Sequence, residues 1–337
     1  MSDTTTSSPA EVVLELIRRA GAADFAAAYE LCHEDIVLSL PTFLPKPVVI
    51  EGRAKQVALN NANSGPTVDQ KAPRLYDDLE SRNVRVHQST DPNVVIVEWD
   101  FVSHIDGHEV VHPNIQVTQC RDGKMVRTTD YHTFVARAVA NGEIPAYLNM
   151  IENMILPEDR GGSAPPRPAA RRPDESTRID TAASKPADVV LEVLRRVSTG
   201  DAVGALELYA DDIELAFPFM LPEPVVIKGK AAQIALLEKT EMPGGARLPR
   251  LYDDLEVRDV RVHETTDPDI VVVEWTYVSR IGDSTVVNSN IVVSQCRDGK
   301  IVRSTDYHDH VTRAVANGTV PACLETIKNM TLPLDRT

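Results

Sequence analysis

The strongest constraint on this chain is that it is written twice. EVVLELIRR (11–19) returns as DVVLEVLRR (188–196), LPKPVVIEGRA (44–54) as LPEPVVIKGKA (221–231), and RDGKMVRTTDYHTF (121–134) as RDGKIVRSTDYHDH (297–310). The offset is 177 between Asp35 and Asp212 (212 − 35) and 176 between Asp130 and Asp306 (306 − 130), so one residue is lost in the loop before Pro249. A period this long excludes solenoid repeats, whose units run to about 20–50 residues. It describes a duplicated domain of roughly 145 residues, and a length of 337 suits two domains of that size. The expected boundaries are 8–156 and 186–334. Between them, 157–185 is rich in Pro, Ala, Arg and Ser without apolar periodicity, and reads as a flexible linker.

Within one copy the pattern separates helices from strands. Val12, Val13, Leu16 and Ile17 fall at helical spacing. Asp24 is placed to cap a second short helix, and RAKQVALNNA (53–62) follows Gly52 as a third. NVRVHQST, NVVIVEWDFVSHI and VVHPNIQVTQC are rich in β-branched residues and read as long strands. RDGK is a hairpin turn whose Asp-Gly pair tolerates positive φ, and MVRTTDYH is the last strand before a helical region broken near Gly142 and Pro145. Helices followed by a meander of strands predict an α+β fold with a strongly bent antiparallel sheet around three or four helices. Such a sheet is a cone whose open mouth is a natural ligand pocket.

Composition narrows the partners. The formal charge of -15 repels phosphate backbones and anionic lipids, so neither nucleic acid nor membrane is expected. No apolar run approaches the roughly 18 residues of a membrane span, and MSDTTTSSPAEVV has no signal-peptide pattern, which suggests a cytoplasmic protein. Cys32, Cys120, Cys296 and Cys323 have no metal spacing and read as buried small hydrophobes. His104, His108 and His112 occur only in the first copy and are expected as solvated side chains of a polar hairpin. No nucleotide, metal or nucleophile motif is present, so neither a cofactor nor a metal is expected.

YADDIEL (209–215), the LPEPVVIKG segment leading into a helix, and RDGKIVRSTDYHD resemble the SnoaL-like branch of the nuclear-transport-factor-2-like superfamily. TDPNVVIVEWD (90–100), with GEIP or GTVP after the last strand, is similar to the phenazine-biosynthesis A/B proteins. The resemblance covers both copies. It implies two tandem cones pairing through their sheets as an intramolecular pseudo-dimer, or a homodimer of four cones. It also implies a small apolar ligand, and activities from polyketide cyclisation and isomerisation to epoxide hydrolysis or binding without catalysis.

Asp130 and His132 are two apart on a strand and leave the same face; Asp306 and His308 repeat them. By the resemblance, the acid of the last strand is the pocket acid or base, so Asp130 and Asp306 are the candidate catalytic acids with His132 and His308 beside them. An acid at the inner end of an apolar cone has its charged form disfavoured, which suits proton transfer. Thr133 and Asp309 follow as natural helix caps, which frees the earlier acids from that duty. Glu98 with Trp99, and Glu274 with Trp275, stand mid-strand on alternate faces; one face looks into the cone and the other toward the sheet interface, so all four are candidate ligand contacts, with an interface ion pair as the alternative for the two glutamates. Asn114 and Asn290 open the next strand and join them. The ketosteroid-isomerase base would fall in LSLPTF or LAFPFM, which hold no acid, and the epoxide-hydrolase Asp-Arg-Asp set lacks its arginine. The expected function is cofactor-independent acid–base chemistry on a cyclic or polyketide-like intermediate of secondary metabolism. The alternatives are a binding or scaffold protein and an epoxide hydrolase.

Overall fold

A computed structural model describes residues 7–63, 79–160, 184–240 and 255–333. Most of the expected linker lies outside these residues. The chain divides into two compact units, Met1–Asn149 with Ile327–Thr337, and Met150–Thr326.

The first copy runs α1 (Pro9–Gly21), α2 (Phe25–Tyr29), β1 (Cys32–Leu40), β2 (Val48–Glu51), α3 (Arg53–Asn63), β3 (Leu79–Gln88), β4 (Val94–Ile105), β5 (His108–Arg121), β6 (Lys124–His132), α4 (Phe134–Asn141) and α5 (Ile144–Asn153). The second repeats it as α6 (Pro186–Ser198), α7 (Ala202–Leu206), β7 (Tyr209–Phe217), β8 (Val225–Lys228), α8 (Lys230–Thr240), β9 (Leu255–Glu264), β10 (Ile270–Ile281), β11 (Ser284–Arg297), β12 (Lys300–His308), α9 (His310–Asn317) and α10 (Val320–Asn329). Each sheet has six strands, ordered β2-β1-β6-β5-β4-β3 and β8-β7-β12-β11-β10-β9. The fold is two tandem α+β cones, with five helices per copy among the described residues. The sheets are antiparallel except where β1 joins β6, and β7 joins β12, in parallel.

Local chemistry sets these elements. Ser8 caps α1 in a reciprocal box with Glu11, with Pro9 in the first turn. Asp24 caps α2 as expected, its side chain accepting from Ala27 N. The Asp122–Gly123 turn takes left-handed φ values of 52° and 71°, which joins β5 tightly to β6. Gly142 ends α4 in the left-handed region at φ 72°. Bulges bend the sheet: β3 skips between Arg82 and Arg85, where Asn83 adopts φ 54°, and β5 shifts at Gln119/Cys120. The same shifts recur at Asp259, also φ 54°, and at Gln295/Cys296.

The bent sheet closes on α1. Val12, Val13 and Ile17 pack against Val95, Val97 and Trp99 of β4 and Met125 of β6. In the second unit, Val189, Val190 and Leu194 meet Val271, Val273 and Trp275. Each such side chain contributes about 1.5–3 kcal/mol by leaving water. Cys32, Cys120 and Cys296 are buried among them as free thiols.

Candidate active site

Strand register assembles the site in rows. Trp99 of β4 pairs with Asn114 of β5, which pairs with His132 of β6. One step along, Val97 pairs with Gln116, and Gln116 with Asp130. In the second unit the rows are Trp275–Asn290–His308 and Val273–Val292–Asp306. The flanking pairs are Phe101–His112 and Tyr277–Asn288. Apart from Val97 and Val273, these residues line a hollow in each unit, about 190 Å³ in the first and about 210 Å³ in the second.

Asp306 Oδ1 lies 3.3 Å from His308 Nδ1, and their side chains are 28% and 8% exposed. Arg313 of α9 brings Nη1 to 3.0 Å from His308 Nε2. A guanidinium only donates, so Nε2 holds a lone pair and the ring proton sits on Nδ1, facing Asp306. Burial opposes a charge on His308, while the adjacent Asp306 carboxylate more than offsets it and raises the pKa above the ordinary value. Geometry is the stronger constraint on the resting form: a second proton on His308 needs Arg313 to withdraw. Burial holds Arg313 itself down to about 10.

Two phenols complete this hollow. Tyr209 at the start of β7 and Tyr277 on β10 line it, and burial, together with the Asp306 charge, raises both hydroxyls well above the ordinary tyrosine range. They remain protonated donors. Asp309 caps α9 instead of entering the hollow, accepting from Val311 N at 3.3 Å and from Thr312 N at 2.8 Å. Burial raises its pKa, against the pull of these bonds.

In the first hollow Asp130 Oδ2 lies 3.5 Å from His132 Nδ1, with side chains 24% and 7% exposed. Thr42 Oγ1 donates to the His132 carbonyl at 2.8 Å, anchoring β6 there. Thr133 stands at the N-cap of α4, but its side chain makes no capping bond, unlike Asp309.

Several expectations need correction. Glu98 and Glu274 face away from the hollows. His87 Nε2 meets Glu98 Oε1 at 2.7 Å and His263 Nε2 meets Glu274 Oε2 at 2.9 Å, so these nearly fully buried acids are satisfied on the convex face. Asn114 and Asn290 do line the hollows, yet each donates its amide to a backbone carbonyl two residues back, His112 O at 2.6 Å and Asn288 O at 2.8 Å. His112 is no solvated loop residue. Strand β5 runs far enough to bury it edge-on to His132, with ring centroids 5.4 Å apart. Burial lowers its pKa well below the histidine value, with the His132 and Arg137 charges adding to the effect. Sequence reading missed Arg137, Arg313, Tyr209 and Tyr277. The arginines had a signal: each stands at the same place in the helix after the last strand, as the one charged residue of FVARAVAN and the one arginine of HVTRAVAN.

Among the described residues no helix is long and apolar enough to cross a membrane. Residues 190–304 match the SnoaL-like domain family. No curated protein matches the chain. Similar solved structures include a candidate isomerase from Bacillus subtilis, 21% identical over 40% of this chain and 92% of that one, TM-score 0.33. A phenazine biosynthesis-related protein from Pseudomonas aeruginosa is 19% identical over 45% and 90%, TM-score 0.31. A candidate polyketide cyclase from Pseudomonas putida is 17% identical over 38% and 92%, TM-score 0.29. At these identities the likeness concerns fold alone.

Proposed function

We propose, from the match of residues 190–304 to the SnoaL-like domain family and the repetition of that domain earlier in the same chain, that the second unit catalyses proton transfer on a compact, largely apolar carbonyl compound. The reaction is of the isomerisation, condensation or cyclisation type, suited to a cyclic or polyketide-like intermediate of secondary metabolism. The observation that carries this reading is the convergence of one acid, one oriented imidazole and two phenols in a single apolar hollow.

The roles follow from the atoms. Asp306 takes a proton from the carbon next to the substrate carbonyl, and electrons move onto the carbonyl oxygen. Tyr209 and Tyr277, kept protonated by burial, donate hydrogen bonds to that oxygen; such preorganised donors act most strongly where water is excluded. His308 offers its Nδ1 proton to Asp306 and holds the carboxylate in position, with Arg313 fixing its tautomer. The proton then returns at another carbon, giving isomerisation, or the enolate carbon attacks a second carbonyl of the same molecule, giving ring closure. Trp275 and the aliphatic face of α6 hold the apolar body.

The test is hydrogen–deuterium exchange in heavy water with beta-tetralone, a bicyclic ketone with an acidic methylene, followed by NMR. Wild type should exchange at least roughly a hundredfold faster than Asp306→Asn, the usual contribution of a positioned base. Tyr277→Phe should slow exchange with binding kept, read from Trp275 fluorescence. Exchange as fast in Asp306→Asn as in wild type sinks the reading; binding without exchange in every form favours a carrier or scaffold.

A further inference from the structure

The two hollows share their Asp-Tyr-His strand but not their walls. On β5, His112 and Gln116 stand where the second unit has Asn288 and Val292. On β1 and β4, Cys32 and Phe101 stand where it has Tyr209 and Tyr277. The two phenols of β7 and β10 have no counterpart on β1 and β4 of the first hollow, whose one lining phenol is Tyr29, and its additional polar side chains stand on β5.

Those groups are unfilled. Trp99 Nε1, Gln116 Oε1, Asp130 Oδ1 and His132 Nε2 are all buried without a hydrogen-bond partner. Gln116 is 4% exposed, and Trp99 and His132 are each 6% exposed. Native folds leave few such atoms unpaired, so a cluster of four around one cavity points to a ligand. The second hollow also leaves Trp275 Nε1, Asn288 Oδ1 and Asp306 Oδ1 unpaired, so the contrast lies at Gln116, where that hollow has Val292, and at the histidine: His308 Nε2 is met by Arg313 at 3.0 Å, while His132 Nε2 has no hydrogen-bond partner.

The chemistry of the four atoms selects the ligand. Asp130 Oδ1 and Gln116 Oε1 accept, and so does His132 Nε2 when its Nδ1 proton faces Asp130; Trp99 Nε1 only donates. Hydroxyl groups both donate and accept, so they fit every member of the set. Tyr29 and Arg137 add further polar groups to the wall, and its apolar part, Leu16, Ile17, Phe25 and Phe101 among it, suits the faces of a ring.

We propose that the first hollow is a separate binding site for a compact ring compound carrying two or more hydroxyl groups, and not a second copy of the second unit's site. This does not rest on catalysis in the second unit, because the test reads binding at the first.

The chain contains two tryptophans, one in each hollow, and each reports on its own site. In Trp275→Phe only Trp99 fluoresces; in Trp99→Phe only Trp275 does. Each is titrated with resorcinol and with resorcinol dimethyl ether, which keeps the ring and loses both donors. In wild type the same titration is read from the two indole N–H resonances, so the result survives a poorly folding variant. At Trp99, resorcinol should bind at least about tenfold tighter than its ether, since a site built for a hydroxyl rejects the analogue lacking it. Gln116→Val, which installs the second unit's residue, should remove most of that preference. At Trp275 the preference should be small. Equal affinities at Trp99, no resorcinol binding there, a preference unaffected by Gln116→Val, or an equal preference at Trp275 would each overturn the proposal.

Discussion

Burial of His112 makes acid stability a direct measurement of the first hollow. The side chain is 4% exposed, and burial holds its pKa well below the ordinary value. In the unfolded chain the ring titrates near about 6.5. Below that pH the unfolded chain binds a proton that the folded one does not, so stability falls as pH falls. The loss is about 1.4 kcal/mol per pH unit, or about 2 kcal/mol between pH 7 and pH 5 from this one residue. His310 acts with the same sign in the second unit, where burial and the His308 charge lower it. His308 acts with the opposite sign: its raised pKa contributes stability below the unfolded value that is lost as pH rises through the folded one. Both are unchanged in His112→Asn, which places the second unit's own residue at this position, so only the share of His112 disappears. Urea unfolding followed by Trp99 fluorescence in a Trp275→Phe background, at both pH values, should show a drop about 2 kcal/mol smaller in His112→Asn. Equal drops in the two proteins would mean that His112 charges in the folded state, and the burial argument would fail.

Other consequences concern stability and reactivity. Lys185 stands at the N-cap of α6 with no side-chain capping bond, so Lys185→Ser should stabilise the second unit by about 1 kcal/mol in thermal or urea unfolding. Glu192, whose side chain is fully covered, bonds Arg195 and Arg196 at 2.6 and 2.7 Å. Those arginines roof it near the surface, so Glu192→Gln should cost about 1–3 kcal/mol in urea unfolding, and the more exposed counterpart Glu15→Gln less. Burial raises the thiols of Cys32 and Cys120 to about 11 and of Cys296 and Cys323 to about 12. A chromogenic disulfide reagent at mildly alkaline pH should titrate none of them before unfolding and all of them after it.

Much of this architecture is legible in the residues because it is written locally. Capping by Asp24, the Asp122–Gly123 turn and the break at Gly142 each depend on a few adjacent side chains. The shared face of Asp130 and His132 follows from the strand period alone. Glu98 was ambiguous for a physical reason: Ile96 and Val97 are both fully buried, so β4 is covered on both faces and alternation no longer marks the inside. His112 was misplaced because the hairpin before it, His104 to His108, is polar, while burial is decided by how far β5 extends beyond that turn. Tyr209 and Arg313 enter the second hollow through packing of separate elements, which no local pattern encodes.

Asp306, His308, Asp309 and Arg313 fall within a single strand–helix junction, whereas Tyr209, Tyr277 and Asn288 come from three other strands, β7, β10 and β11. Copying a gene segment transmits the junction whole, as one compact cassette. The other strands can then change one codon at a time. A duplicated cone can thus keep its Asp-Tyr-His junction while its walls diverge, as His112 and Gln116 of β5 differ from Asn288 and Val292 of β11.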